Sequence, residues 1–429
     1  MLRKASSFLL DVEEDYDHAC TVEGGGGSRS SSSGGGHGKA KAKAAAPRSP
    51  SMQADVEATL TRQPKRMRKG IGAWYPDGPN NLDECFAWTD DARAAMALYD
   101  ISKGSDLCAN FQNNIARKIV LTSSYSGVGT AEYALSRILA SSEGSGSNFV
   151  VHSACDNCPL ALRTLMAHVG PSSPDHVFVD VLDRLPPDVK EECLGLQKTM
   201  LADVKELKAA IPLTGMQLFN KKKCKLGDTY VARLKQILVK CDFLENAWCR
   251  KCQKYCPLSP RSDGHEEDLW IEVAGTTCCP FSSMNLSSTE WASDATLPCM
   301  VWAFSTRFWQ ADIIVHECVQ YFQPEVLLSI FNNLGLDTPM LRSQSSRFYI
   351  EDANYEMFSM VFTPTQLGIP SERYRRYSQF HLKAVSSMLH RNQQDLHEAV
   401  FRDLFFKNRQ ITAQTYEVAG FLVEPDIVT

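Results

Sequence analysis

No stretch of the 429-residue chain reaches the ~18 consecutive apolar residues of a membrane-spanning helix, so no membrane partner is expected. The first ten residues lack the apolar core and small-residue cleavage site of a secretory leader. Without a leader, the fifteen cysteines are expected as reduced thiols, in cytoplasm or nucleus, rather than as a disulfide framework. No internal repeat is visible. An excess of positive charge is missing too: the formal net charge is −5. Basic residues gather instead in one place, nine Lys and Arg over residues 39–69 against Asp55 and Glu57, and the remainder of the chain is acidic. A polyanionic partner would therefore have to be met by local basic patches or by the tail.

What is present is apolar residues at 44% and seven tryptophans, enough for a sizeable core. Residues 1–70 stand apart. Gly and Ser fill 24–38, Lys-Ala repeats follow, and the segment is expected to be a disordered tail because it has too little apolar surface to offset its ordering entropy. The compact basic cluster at 65–69 suits a nuclear import signal, with a solvated charge run as the plain alternative. From Lys118 short apolar runs alternate with helical spacing: strands are expected at 119–122, 148–152, 176–179, 269–273 and 312–315, with helices at 131–140 and 160–168. This alternation predicts an α/β fold with a doubly wound, mostly parallel sheet. The sheet is expected to form two halves, 71–182 and 269–378, separated by a helical insertion at 183–268 and followed by a C-terminal segment at 379–429.

The insertion is expected to hold helices at 189–211 and 227–248. It also carries Cys249-x-x-Cys252-x-x-x-Cys256, with Cys241 and His265 nearby as a fourth ligand. Such spacing fits a structural zinc site, or else a Cys-rich connector.

Three successive strand ends carry groups suited to an adenosine-containing cofactor. Tyr125-Ser126-Gly127-Val128-Gly129 lies between a strand and a helix, where glycines let the backbone approach a ligand. Asp156 follows the second strand, placed to accept from two ribose hydroxyls, and Asp180 follows the third, placed to accept from an exocyclic amine. Either acid alone reads more readily as a solvated loop residue. After the strand at 269–273 comes Ala274-Gly-Thr-Thr-Cys-Cys-Pro-Phe-Ser282, a thiol-bearing loop at the strand's C-terminal end, the edge where open α/β sheets bind ligands. Ile314-Val-His-Glu-Cys-Val319 places Glu317 at the next strand end, and Arg373 and Arg375 lie in Gly368-Ile-Pro-Ser-Glu-Arg-Tyr-Arg375.

Taken together, these segments resemble the cytosine-5 DNA methyltransferase family. Residues 124–132 resemble its Phe-x-Gly-x-Gly motif with Tyr125 for Phe; 156–161 its ribose-binding segment; 179–181 its Gly-Asp-Ile segment. Residues 277–282 resemble its Pro-Cys-Gln-x-Phe-Ser loop, with Thr277 for Pro and Cys279 for Gln. Residues 317–319 resemble Glu-Asn-Val with Cys318 for Asn, and 371–375 resemble Gln-x-Arg-x-Arg with Ser371 for Gln. The resemblance implies a Rossmann-like methyltransferase core and S-adenosylmethionine, bound by Tyr125, Ser126, Gly127, Gly129, Asp156 and Asp180. It implies Cys278 as nucleophile, chosen over Cys279 by its spacing to Phe281-Ser282, with Glu317 facing the ring and Arg373 and Arg375 supporting it. DNA is the implied substrate. RNA remains open, as does a catalytically degenerate relative that binds without transferring. The 51 residues after Ser378 imply a truncated target-recognition segment, and a helix within 90–100 is a candidate for the place of the family's closing motif.

Overall fold

The computed structural model describes residues 88–104, 106, 108–109, 111, 113, 116–140, 148–211, 216–265, 267–281, 291–332, 354–367, 373–384 and 399–402. The tail at 1–70, its basic cluster at 65–69 and, within 379–429, residues 385–398 and 403–429 lie outside them. Helix α1 (Trp88–Lys103) covers the helix expected within 90–100.

The sheet begins with β1 (Ile119–Ser124), followed by α2 (Thr130–Ala140), β2 (Phe149–Cys155), α3 (Pro159–Ala167) and β3 (His176–Phe178). All six residues of β1 are buried, the signature of a strand covered on both faces. That is why Ile-Val-Leu at its start shows no polar alternation. Two long helices come next, α4 (Pro187–Ala210) and α5 (Met216–Leu238), then an antiparallel hairpin of β4 (Asn246–Cys249) and β5 (Lys254–Pro257). The chain then enters β6 (Leu269–Gly275), α6 (Thr296–Trp309), β7 (Ile313–Val319), α7 (Glu325–Phe331), β8 (Tyr355–Phe362) and β9 (Arg375–Leu382).

The strand order is β3-β2-β1-β6-β7-β9-β8. β3, β2, β1, β6 and β7 pair in parallel, while β9 runs antiparallel to both β7 and β8. The winding reverses between β1 and β6, which opens a crevice at their C-terminal ends. This is the doubly wound, mostly parallel α/β sheet expected from the alternation, with one reversed strand near the edge. Helix α6 is its central brace: Leu297, Met300, Val301, Trp302, Ala303 and Phe304 are all buried.

The 183–268 segment departs from expectation at the helix expected over 227–248. Gly227 was read as a helix boundary, but it sits inside α5. A side-chain carbon there would lie 2.8 Å from Ala292 N and 3.0 Å from Trp291 C, so glycine marks a close helix approach rather than a helix start. The expected helix at 227–248 ends at Leu238, and its last three residues, from Asn246, lie instead in the first strand of the hairpin.

Candidate active site

After Ser124 the chain turns through Tyr125, Ser126, Gly127 and Gly129 into α2. Gly127 and Gly129 have φ of +57° and +85°. Tyr125 also adopts a left-handed φ, +57°, a conformation that costs a residue with a side chain about 1–3 kcal/mol. The turn is pinned to the end of β2. Ser126 N donates to Cys155 O at 3.1 Å, Cys155 N donates to Ser126 Oγ at 3.0 Å, and Gly127 N donates to Asp156 Oδ2 at 2.8 Å. Asp156 Oδ1 accepts from Cys158 N at 2.8 Å, so this 3%-exposed acid ties the glycine turn to the start of α3. Asp180 caps the short turn Val181–Arg184 by accepting from Leu182 N at 2.9 Å; burial raises its carboxyl above the usual range.

Beneath the turn lies a group that the sequence reading passed over. Ser123 donates to Glu132, which is fully buried, and Glu132 Oε2 has no hydrogen-bond partner among the described residues. Burial raises its carboxyl. A second missed carboxylate, Glu272 on β6, accepts from Thr122, from Ser124 Oγ at 2.7 Å and from Trp302 Nε1 at 2.8 Å. Arg184 Nη2 closes this network by donating to Ser124 Oγ at 2.7 Å. It joins β1, β6 and α6 beneath the crevice. Its signal in the sequence, a Glu within an apolar strand, is recognisable only once its partners from distant segments are known.

The second half of the site gathers on β6, β7 and β9. β6 ends at Gly275, whose register partner on β7 is Glu317. A side-chain carbon built on Gly275 would sit 3.5 Å from Glu317 Oε2 and 3.9 Å from Tyr125 O, so the glycine turn and the acid converge on one point. Cys278, half-buried, lies three residues beyond Gly275, and its loop continues into the turn Cys279–Phe281. Phe281 anchors that turn in an aromatic cluster, its ring centroid 4.9 Å from Trp291 and 5.0 Å from Phe322. Thr276 Oγ1 lies 2.7 Å from Nε2 of the buried His316, which stacks on Trp302. Burial lowers the His316 pKa to about 3, so the ring is neutral. Arg375, the first residue of β9, places Nε 2.7 Å from Glu317 Oε1. Arg373 N donates to Thr363 Oγ1 at 3.0 Å, ordering the chain entering β9. The structure thus brings Glu317 and Arg375 into contact and sets Cys278 on the adjoining loop.

The cysteine group in the insertion takes a different form from the one expected. Cys249, Cys252 and Cys256 gather with His176 of β3, all four ligand atoms within 4.8 Å of one another. Cys241 and His265 are not in this group. Cys241 is packed in the apolar core, and burial pushes its thiol up to about 12.

No protein-family model matches the sequence, and no curated protein matches it. Among solved structures, the chain is similar to the Dnmt2 methyltransferase of S. pombe at 12% identity and a TM-score of 0.28, over 65% of this chain and 54% of that one. It is similar to the Entamoeba histolytica methyltransferase EhMeth at 11% identity and a TM-score of 0.31, over 64% and 56%. A putative DNA modification methyltransferase of an E. coli prophage gives 12% and 0.28, over 63% and 49%. The chain spans about half the length of the structures it matches. At these values the likeness carries no further argument, and the strand order with its reversed β9 shows a doubly wound, Rossmann-like α/β core.

Proposed function

We propose that the protein is an S-adenosylmethionine-dependent cytosine-5 methyltransferase acting on DNA through a covalent Cys278 intermediate. The observation that carries this reading is the convergence of the glycine turn, the Glu317–Arg375 pair and the Cys278 loop on the crevice between β1 and β6.

The residues present suit the cofactor. The face of Gly127 is open, with nothing within 4 Å of a side-chain carbon placed there. Asp156 and Asp180 supply acceptors at the ends of β2 and β3, the first for ribose hydroxyls and the second for an exocyclic amine. When bound, S-adenosylmethionine supplies an electrophilic methyl group.

The target carbon of cytosine is a poor nucleophile. Addition of the Cys278 thiolate to ring carbon 6 forms an S–C bond and makes carbon 5 enamine-like, provided that ring nitrogen 3 receives a proton. Glu317 is the group that supplies it. Arg375 fixes the orientation of that carboxyl, and Arg373 supports the ring oxygen. Once carbon 5 carries the methyl group, loss of its proton to a solvent base, return of the nitrogen 3 proton to Glu317 and cleavage of the S–C bond restore Cys278 to its starting state. Because a stacked base offers neither face to a thiol, the target must be flipped out of the helix.

Trapping with 5-fluorocytosine oligonucleotides tests the proposal, since fluorine at carbon 5 blocks the release step. DNA and RNA versions are offered with S-adenosylmethionine. A denaturation-resistant adduct on DNA that vanishes in Cys278→Ser is the expected result. An adduct on RNA alone reassigns the substrate, and no adduct on either polymer overturns the covalent mechanism.

A further inference from the structure

We infer that His176, Cys249, Cys252 and Cys256 form a closed structural zinc site that fastens the insertion's hairpin to the edge of the central sheet. The three cysteines belong to the β4–β5 hairpin: Cys249 ends β4, Cys252 lies in the turn and Cys256 is on β5. The fourth donor comes from elsewhere. His176 opens β3, 76 positions before Cys252 in the chain, and its Nδ1 lies 3.5 Å from Cys252 Sγ.

The geometry suits a tetrahedral ion. Bonds of about 2.3 Å to sulfur and 2.0–2.1 Å to nitrogen place neighbouring donor atoms roughly 3.6–3.8 Å apart. Here all four donors lie within 4.8 Å of one another with no ion in place. Cys249 and Cys256 are buried, and Cys252 and His176 are half-buried, so the group is shielded without being sealed.

The backbone is arranged to favour thiolate sulfur. Cys249 Sγ accepts from Val177 N and from Cys252 N, both at 3.3 Å. The Cys252 bond is the local N–H···S contact of a Cys-x-x-Cys turn, and the Val177 bond comes from the strand that also provides the histidine. The turn closes with Gln253 at φ +54°, a left-handed conformation that a residue with a side chain adopts at a cost.

The other face of the imidazole is also provided for. His176 Nε2 lies 3.4 Å from Asp263 Oδ2. A metal on Nδ1 leaves the proton on Nε2, directed at that carboxylate, which is how metal-bound histidines are commonly oriented. The hairpin is already docked by Arg250 N donating to Val177 O at 2.7 Å. With four protein donors no coordination position remains for water or substrate, so the role is structural and not catalytic. The strand it clamps runs from His176 to Phe178 and leads to Asp180 at the candidate cofactor site.

The test uses the full chain, expressed in zinc-supplemented medium and purified without chelator. Elemental analysis is expected to find one zinc per chain, and replacement by Co²⁺ to give a thiolate charge-transfer band with intense visible bands of a tetrahedral centre. His176→Cys is expected to keep the metal with a shifted Co²⁺ spectrum, and His176→Ala to weaken binding at least tenfold in a chelator competition. Cys241→Ser is expected to leave metal content unchanged. Less than one zinc per two chains together with no thiolate band on the wild-type protein overturns the site. So does a Cys249–Cys252 disulfide in the protein as isolated, or full zinc retention in Cys252→Ser. None of these readings depends on methyl transfer or on the folding of any one variant.

Discussion

Arg375 and Glu317 meet across two antiparallel strands, Nε to Oε1 at 2.7 Å, although their nearest register partners are Val319 and Tyr377. The guanidinium reaches back along β7 to the carboxyl instead of pointing to solvent. Glu317 keeps a third of its side-chain surface exposed, so this ion pair contributes little to stability, roughly 0–1 kcal/mol. Its value lies in orientation. Arg375→Ala is expected to lower the methyl-transfer rate about 100-fold, within the range for a misplaced acid–base group, while melting changes little. Arg375→Lys should recover only part of the rate, because an ammonium lacks the planar fork. An unchanged rate in Arg375→Ala removes the arginine from the site.

Cys278 and Cys279 are neighbours, and only one of them can be the nucleophile. Cys278→Ser is expected to abolish both turnover and the fluorocytosine adduct while leaving cofactor binding intact. Cys279→Ser should retain most activity. The reverse pattern in a side-by-side assay would assign the chemistry to Cys279.

Gly227→Ala sets helix propensity against space. In an exposed helix alanine is better than glycine by about 1 kcal/mol. Here the added carbon meets the backbone of Trp291 and Ala292 at 3.0 and 2.8 Å. The expected outcome of urea unfolding is a net loss of about 1–3 kcal/mol, the usual cost of overpacking. A gain would show that α5 shifts freely.

The neutral, buried His316 predicts a one-sided pH dependence. Its folded pKa, about 3, lies below its ordinary value of about 6.5, so the unfolded chain takes up the proton first. Stability is full above the ordinary value and is lost as pH falls toward the folded one, at up to about 1.4 kcal/mol per pH unit. His152, whose pKa burial likewise lowers to about 3, adds a parallel loss. His316→Gln should flatten the acid limb without removing it, as read from melting temperature against pH. An unaltered slope would place the titrating groups elsewhere.

Asp156 joins two jobs in one carboxylate. Asp156→Ala leaves Gly127 N and Cys158 N without their acceptor, which should cost about 1–3 kcal/mol of stability. It should also weaken S-adenosylmethionine binding by calorimetry. Asp156→Asn keeps one acceptor oxygen and should fall between; undiminished affinity in both variants removes Asp156 from the ribose role.

Much of the architecture was legible because strands covered on both faces have a local sign, an unbroken apolar run such as Ile119-Val-Leu ending in a turn. β1, β2, β3, β6 and β7 all appear where those runs are. β8 and β9 do not carry that sign: in β9, Arg375, Arg376, Tyr377, Gln379 and His381 are only half-buried, and its arginines read as a basic loop. Gly227 misled for a related reason, since a glycine that admits a neighbouring backbone looks the same in sequence as one that ends a helix. Glu272 was invisible because its partners on β1 come from another segment, 150 positions away for Thr122. His176 was hidden as the first residue of an apolar strand, far from the cysteines it joins.

The reversal of β9 has a consequence for how the site can vary. Every parallel strand brings its last residue to the reactive edge, but β9 brings its first, so Arg375 arrives there on the way in. The entry to that strand is held by Arg373 N, which donates to Thr363 Oγ1 just beyond the end of β8. A one-residue slip of β9 against β7 would turn Arg375 to the opposite face of the sheet and present Tyr374 or Arg376 to Glu317 in its place. The register of β9 is thus held by the chemistry at its first residue.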